Sequence, residues 1–152
     1  MTCAKALPAI FLASNKGVIV VDWPPYYGHM LLWAIGNVTS VPITHVIYNH
    51  AHADHIGGVT LFGNTVTTIS HHETARYLTL TPDPNRTVPK VTFKDSYTLC
   101  VGNQTLELTY KGENHLIGKI SSMLQCKRFD ASGCYLSVMD AFGAPWADEE
   151  CS

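Results

Sequence analysis

Three histidines and one aspartate fall within six consecutive positions of residues 49–58, in the order His50, His52, Asp54 and His55. Imidazole nitrogens and carboxylate oxygens together suit zinc or a similar borderline ion. His50 and His52 are two positions apart, so they can project to one side of an extended segment. Asp54 and His55 follow where that segment can bend, and they could serve a second ion close by. The pattern therefore predicts a site for one or two metal ions.

The residues on either side of this pattern supply the context that such a site needs. A predicted strand over residues 43–48 ends just before it, and Gly57-Gly58 follows it. Ligands at the carboxyl end of a strand, outside the sheet, fit the general rule for α/β sites. The alternative is a histidine-rich surface loop, but composition alone would produce this pattern with a probability of about 0.001. We therefore favour the metal site.

The composition is typical of one globular domain spanning residues 1–152, with 46% hydrophobic and 14% charged residues. The net charge is −2 and no block of Lys or Arg occurs, so we expect no nucleic acid and no membrane surface as partner. No apolar run is long enough to cross a bilayer. The five cysteines are scattered without a Cys-X-X-Cys pair, which favours reduced thiols and a cytoplasmic protein. The apolar run 6–13 is similar to a short signal peptide, but Pro8 interrupts it and we favour a strand.

Alternating and helical patterns predict a mixed α/β (α+β) fold. The predicted helices cover residues 29–35, 59–63 and 73–80. The first should pack into the core through Met30, Leu31, Trp33 and Ala34, and this set can extend to Ile35. A hairpin turn is expected at Gly102-Asn103, because both residues accept positive φ. The remaining predicted strands cover residues 9–14, 18–21, 43–48, 65–70, 91–93, 97–101, 105–110 and 134–139.

Other polar residues near strand ends have ordinary structural interpretations. Asp22 closes the second strand, where a turn or cap role is favoured over a place behind the metal ligands. His29 should cap a helix or lie on the surface, and His45 should be a satisfied core histidine. His71 and His72 are adjacent, so their side chains diverge, and metal binding by them is not favoured.

Two later strand ends carry further candidate ligands. His115 follows the strand over residues 105–110, and a metal loop that needs a third nitrogen ligand favours a metal role for it. Asp140 follows the last apolar run, where a carboxylate bridging two ions and a turn residue are about equally favoured.

Taken together, these residues resemble the metallo-β-lactamase superfamily of hydrolases. The resemblance covers residues 17–22, the His-X-His-X-Asp-His pattern of residues 50–55, the Asp83-Pro84-Asn85-Arg86 region and residues 112–118, and it extends more weakly to Asp140. It implies a four-layer αβ/βα sandwich with the site between the two sheets at one edge. It also implies a set of ligands: His50, His52 and His115 for one metal, Asp54 and His55 for the second, and Asp140 as the bridge.

The sequence departs from this family in its second half. The family places a further histidine there to complete the second metal site, whereas no histidine follows His115 in this sequence. We therefore expect the first half of the sandwich and only the start of the second half, incomplete at the C-terminal end. An open sheet face would expose apolar surface, so a partner chain or self-association would be expected to cover it.

The resemblance implies metal-dependent hydrolysis of an ester, thioester or amide-like (lactam) bond in a small-molecule substrate. A water shared by the two ions would be acidified and would attack the carbonyl, with Asp54 as the catalytic residue that orients it. Up to two zinc ions are expected, although iron or manganese would also suit the ligands. One alternative is an inactive, truncated metal-binding remnant or interaction module. The other is a one-iron oxidoreductase similar to persulfide dioxygenases.

Overall fold

The structure is a computed structural model that describes residues 10–112, 118–125 and 136–138. Nine strands and three α-helices occur in these ranges. The strands are β1 (Ile10–Ala13), β2 (Val18–Val21), β3 (Ile43–Ile47), β4 (Thr67–His71), β5 (Val91–Phe93), β6 (Ser96–Val101), β7 (Gln104–Thr109), β8 (Ser121–Gln125) and β9 (Leu136–Val138). The helices are α1 (Gly28–Val38), α2 (Ala53–Ile56) and α3 (His72–Leu80).

The larger sheet has six strands in the order β5-β4-β3-β2-β1-β9. Strands β2 to β5 are parallel, and β1 is antiparallel to both of its neighbours, β2 and β9. Helix α1 connects β2 to β3 and α3 connects β4 to β5, as parallel neighbours require. All four residues of β2 are buried, which is typical of a strand covered on both faces. The carboxyl ends of β2, β3, β4 and β9 therefore lie at the same edge of the sheet.

The smaller sheet consists of β6, β7 and β8 in antiparallel order. Its first two strands pair from Val101 and Gln104 outward, around the predicted turn at Gly102 and Asn103. Buried and more exposed residues alternate along both strands. The face turned away from the larger sheet is polar over residues 96–109, apart from Cys100. Covering of an open apolar face by a partner chain stays a prediction.

Two hydrophobic clusters cover the two faces of the larger sheet. One joins the sheet to the helices through residues such as Phe11, Val46 and Leu31. The other lies between the two sheets and includes Ile19, Ile47 and Leu106. The result is a three-layer arrangement of helices, large sheet and small sheet, which confirms the predicted α/β class.

Helix α1 differs from its prediction in length and in packing. It extends from Gly28 to Val38, and only Gly28, Leu31 and Ile35 are buried. Met30 is 40% exposed and Trp33 is 74% exposed, so the prediction that these two residues pack into the core is wrong. The helix contacts the sheet through the narrow stripe at positions i, i+3 and i+7, and every other apolar residue lies outside that stripe.

Two further histidines, His29 and His45, precede the metal loop in the sequence. His29 is exposed on α1, which confirms the surface interpretation. His45 is only half-buried, and its Nδ1 lies 2.8 Å from Thr44 Oγ1. Burial lowers the pKa of His45. Within the ranges described above, no helix is long and apolar enough to span a membrane.

Candidate metal centre

The histidine-rich loop leaves the carboxyl end of β3 and turns into α2. Tyr48 still donates its backbone N–H to Ile69 O at 2.9 Å, so the chain remains extended at the start of the loop. His52 has φ −65° and ψ 141° and is the N-cap of α2. The backbone N–H of His55 bonds to His52 O at 3.1 Å. His50 and His52 therefore precede the bend and His55 follows it, as the spacing predicted.

This bend brings three imidazole rings together. The ring centroid of His50 lies 4.0 Å from that of His55 and 4.7 Å from that of His52. His50 Nε2 and His52 Nδ1 are 3.1 Å apart and share a hydrogen bond. Two imidazole nitrogens on one tetrahedral zinc ion stand about 3.3 Å apart, given zinc–nitrogen bonds of about 2.0–2.1 Å. The spacing of these two nitrogens therefore fits a shared metal ion.

Asp22 supports the loop from the end of the neighbouring strand. Its Oδ2 accepts a hydrogen bond from His55 Nδ1 at 2.7 Å, and its Oδ1 accepts the backbone N–H of Asn49 at 2.8 Å. The residue is 3% exposed and has a positive φ of 61°, a conformation that aspartate adopts more readily than most residues. The expected interpretation of Asp22 as a turn or cap residue therefore describes only half of its contacts, because the same carboxylate also binds His55. The Asp22 carboxylate holds the imidazole of His55 through Nδ1 and leaves Nε2 for another partner.

Burial and the hydrogen bond between Asp22 and His55 shift the pKa values of both residues. Burial raises the pKa of Asp22, and the hydrogen bond from His55 opposes that change. The same hydrogen bond is the main reason that the pKa of His55 is raised. Because Nδ1 of His55 faces the carboxylate, a metal ion would meet this ring at Nε2.

Asp54 lies beside this cluster, in the first turn of α2. Its side chain is exposed, and its negative charge contributes to raising the pKa of both Asp22 and His55. The structure thus brings His50, His52 and His55 together and places Asp54 next to them. The other two predicted ligands, His115 and Asp140, lie outside the described residues. Within the described ranges, no group of three or more His, Cys, Asp or Glu side chains has an arrangement that could hold a metal ion.

Residues beyond the segment that contains His115 return to the metal loop. Ile120 donates its backbone N–H to Asn49 O at 3.0 Å, directly before His50. Thr74 Oγ1 donates to Gly118 O at 3.1 Å. A Cβ atom on Gly118 would lie 2.5 Å from Thr74 Oγ1, and its φ is 81°, so this position requires glycine. This part of the chain is therefore fixed between the metal loop and the start of α3.

His71 has a structural role, in line with the interpretation favoured for it. It is 1% exposed, and its Nε2 donates to Lys94 O at 2.7 Å. Its Nδ1 accepts the backbone N–H of Glu73 at 3.3 Å, which caps α3. The ring also stacks on Tyr110 with centroids 3.8 Å apart. Both ring nitrogens of His71 therefore form hydrogen bonds to the backbone.

Sequence reasoning assigned no role to Arg86. Its Nη1 donates to the backbone oxygen of Ala51 at 2.8 Å, across 35 positions of sequence. Ala51 lies between His50 and His52. The Asp83-Pro84-Asn85-Arg86 region was noticed as part of the resemblance, but its spacing gave no sign of this contact.

Residues 8–135 match the sequence profile of the metallo-beta-lactamase superfamily. The chain belongs to this superfamily. The match includes the whole histidine-rich loop and His115, and it leaves Asp140 outside. The resemblance drawn from the motifs is therefore confirmed.

Individual members of the superfamily show the same relationship. A metallo-beta-lactamase type 2 from Bacillus sp. (strain 170) is 28% identical over 141 residues, covering 90% of this chain and 54% of the relative. The metallo-beta-lactamase from Pontibacter korlensis superposes with a TM-score of 0.68 at 22% identity, covering 82% of this chain and 59% of that one. A flavo di-iron protein from Thermotoga maritima superposes with a TM-score of 0.59 at 21% identity, covering 76% and 30%. At these identities the superpositions establish the fold, and the chain spans less than two thirds of each of these proteins.

Proposed function

We propose that this chain provides the metal centre of a metal-dependent hydrolase. The observation that carries the proposal is the pair formed by His50 Nε2 and His52 Nδ1, which stand 3.1 Å apart. Their separation suits two ligands of one zinc ion. The membership in the superfamily supports the same chemistry.

The proposed ligands form two groups. His50, His52 and His115 would hold the first ion, and Asp54, His55 and Asp140 would hold a second ion. The donor set of nitrogen and carboxylate oxygen suits zinc. The buried Asp22 carboxylate fixes the tautomer of His55, because its Oδ2 accepts a hydrogen bond from Nδ1–H at 2.7 Å.

A bound zinc ion would supply Lewis acidity, both to lower the pKa of a water and to polarise a carbonyl. The protein residues would then orient the reactants. Asp54 is exposed beside the three imidazoles, so its carboxylate can accept a hydrogen bond from the attacking water and direct its lone pair. No serine or cysteine nucleophile is needed in such a reaction.

The proposed substrate is a small molecule with an ester, thioester or amide-like bond. The name of the Bacillus relative, a metallo-beta-lactamase, makes a lactam the first member of that class to test. A second candidate function is a one-iron oxidoreductase similar to persulfide dioxygenases. The observation that favours it is the likeness to a flavo di-iron protein, which shows that this fold is also found in an iron protein.

The test combines metal analysis with a panel of chromogenic lactam, lactone and thioester substrates. We expect the wild-type protein to retain zinc and to hydrolyse at least one substrate, and His52→Ala to lose more than about 100-fold in turnover, since even outer partners of a ligand contribute 10–100-fold. His29→Ala is the matched control, because His29 is exposed on α1, and it should behave as wild type.

The other outcomes discriminate between the alternatives. Tightly held iron together with oxidation of a persulfide would support the oxidoreductase. One zinc ion without any hydrolysis would support an inactive metal-binding module. Equal turnover in wild type and His52→Ala would refute the proposed site.

A further inference from the structure

The segment between α3 and β5 contacts the metal loop at its centre. The Nη1 of Arg86 donates to Ala51 O at 2.8 Å, and Ala51 is fully buried. This carbonyl belongs to the peptide unit that joins Ala51 to His52. Because a peptide unit is planar, fixing its oxygen also fixes the plane from which the backbone of His52 departs.

Arg86 is itself held in one orientation. Its Nε donates to Asp83 Oδ2 at 2.8 Å, and the backbone N–H of Arg86 bonds to Asp83 O at 3.0 Å. The second carboxylate oxygen of Asp83 accepts the backbone N–H of Asn85 at 2.8 Å. The N–H of Asn85 and the guanidinium of Arg86 hold the pKa of Asp83 below its usual value. The planar guanidinium therefore connects a fixed carboxylate to the metal loop.

A second contact involves Tyr48, which precedes the loop. The hydroxyls of Thr87 and Tyr48 are 2.9 Å apart, and Tyr48 is fully buried. Tyr48 directly precedes Asn49 and His50. The adjacent residues Arg86 and Thr87 thus bind the chain on both sides of His50. Arg86 binds Ala51 after it, and Thr87 binds Tyr48 before it.

We propose that Arg86 is a positioning residue for the metal centre, oriented by Asp83 and acting through the carbonyl of Ala51. It sets the relative orientation of the His50 and His52 imidazoles, whose Nε2 and Nδ1 atoms lie 3.1 Å apart and whose planes are inclined at 76°. Without the guanidinium, the buried carbonyl would lose its charged donor and the peptide unit would rotate more freely. This inference rests on the proposed metal centre, and it assigns a role to a residue that is not itself a ligand.

Cobalt(II) binding tests the role of Arg86, because the visible spectrum of the ion reports the geometry of its ligands. We expect Arg86→Ala to weaken cobalt binding about 10–100-fold and to change the intensity of the visible bands. Millimolar guanidinium added to Arg86→Ala should restore most of the affinity and the wild-type spectrum. Arg86→Lys should restore little, because an ammonium cannot bind Asp83 and Ala51 in the same fork.

The matched control is Arg76→Ala. Arg76 also pairs with an acidic residue three positions earlier, Glu73, at 3.3 Å, but its side chain is 69% exposed. It should keep wild-type affinity and spectrum. If Arg86→Ala binds cobalt with the affinity and spectrum of the wild type, the positioning role is wrong.

A metal-free measurement separates this inference from the proposed function. The imidazole nitrogens of His52 should change their NMR chemical shifts in Arg86→Ala and not in Arg76→Ala. If the wild type binds no cobalt, the proposed metal site is refuted. The NMR shifts of His52 would still test whether Arg86 orients the loop through Ala51. If Arg86→Ala fails to fold, Arg86→Lys takes its place, and a wild-type cobalt spectrum in that variant would overturn the need for the guanidinium fork.

Discussion

At the scale of single residues, the candidate centre depends on side chains that reach it from other strands and turns. Asp22 lies 27 positions before Asn49 and 33 before His55, yet one carboxylate binds both. The register between β2 and β3 explains this, since Val21 pairs with Ile47. Two parallel strands that end together place Asp22 beside the first residues of the loop. Its buried oxygens then fix the loop backbone and one imidazole.

Replacing Asp22 by asparagine should therefore weaken metal binding with little change of shape. The amide has one oxygen, so one of the two donors, His55 Nδ1 or Asn49 N–H, would face an NH2 group instead. We expect zinc affinity to fall about 10–100-fold, as is typical when the partner of a ligand is removed. Competition with a chromophoric chelator measures this change.

Asp95→Asn is the control for Asp22→Asn. Asp95 is exposed in the turn between β5 and β6, and its substitution makes the same change from carboxylate to amide. Its zinc affinity should stay within about twofold of wild type, as is usual for surface substitutions. Equal affinity in all three proteins would show that Asp22 does not support a ligand.

The cluster of candidate ligands could be predicted from the sequence, whereas the residues that support it could not. His50, His52, Asp54 and His55 are local, so their spacing alone indicates a common site. Asp22 and Arg86 act through strand register and a turn 35 positions away. Neither the register nor the path of that turn can be obtained from periodicity, because both depend on tertiary packing.

At the scale of secondary structure elements, His71 links β4, α3 and the residue that follows β5. Its neutral ring donates from Nε2 to Lys94 O and accepts at Nδ1 from the N-terminus of α3. Protonation would place a second N–H on Nδ1, directed at the N–H of Glu73, and the cap would be lost. Burial is the main reason that the pKa of His71 is lowered from 6.5.

This lowered pKa predicts the direction of a pH effect on stability. The unfolded chain takes up a proton on His71 below pH 6.5, while the folded protein does not until a lower pH. The contribution of His71 is therefore complete above pH 6.5 and decreases as the pH falls towards its folded pKa. Glutamine at this position could donate and accept in the same way without titrating.

Urea unfolding of the metal-free protein at several pH values measures the effect. We expect the free energy of unfolding of His71→Gln to decrease less than that of wild type between about pH 7 and pH 5.5. His29→Gln should keep the wild-type dependence, because His29 is exposed on α1. Parallel pH profiles for His71→Gln and wild type would contradict the assigned role.

The elements themselves were predicted to different extents. The hairpin of β6 and β7 was predicted with its turn, since alternation and Gly102-Asn103 are both local signals. Helix α1 was predicted with a buried face that is too wide, because Met30 and Trp33 are exposed while Leu31 and Ile35 are buried. Its sequence is apolar on nearly every side and contains no Asp, Glu, Lys or Arg, so periodicity could not select the stripe of Leu31 and Ile35.

At the scale of the whole molecule, the α/β class followed from the pattern of elements, but the strand order did not. The pairing of β1 with β9 joins residues at opposite ends of the described chain, such as Ile10 and Val138. Such contacts have no local signature. They bring the carboxyl end of β9 to the same sheet edge as Asp22 and the histidine-rich loop, so residues far apart in sequence share one edge.

Metal binding should also stabilise the whole folded molecule. The unfolded chain has no preformed site, so zinc should bind the native state preferentially and stabilise it. At a free zinc concentration of 100 times Kd, the stabilisation is about 2.7 kcal/mol, which corresponds to roughly 5–10 °C in Tm for a domain of this size. Thermal unfolding followed by circular dichroism at increasing zinc concentrations measures the shift.

The variants locate the origin of that shift. His52→Ala, which removes a ligand of the first ion only, should gain less Tm than wild type when zinc is added. His29→Ala should show the wild-type increase, because the exposed His29 lies outside the loop. The size of the wild-type increase should depend on the logarithm of the zinc concentration once the site is saturated. If His52→Ala and wild type gained the same Tm, His52 would not hold the zinc ion that stabilises the fold, and the first proposed site would be wrong.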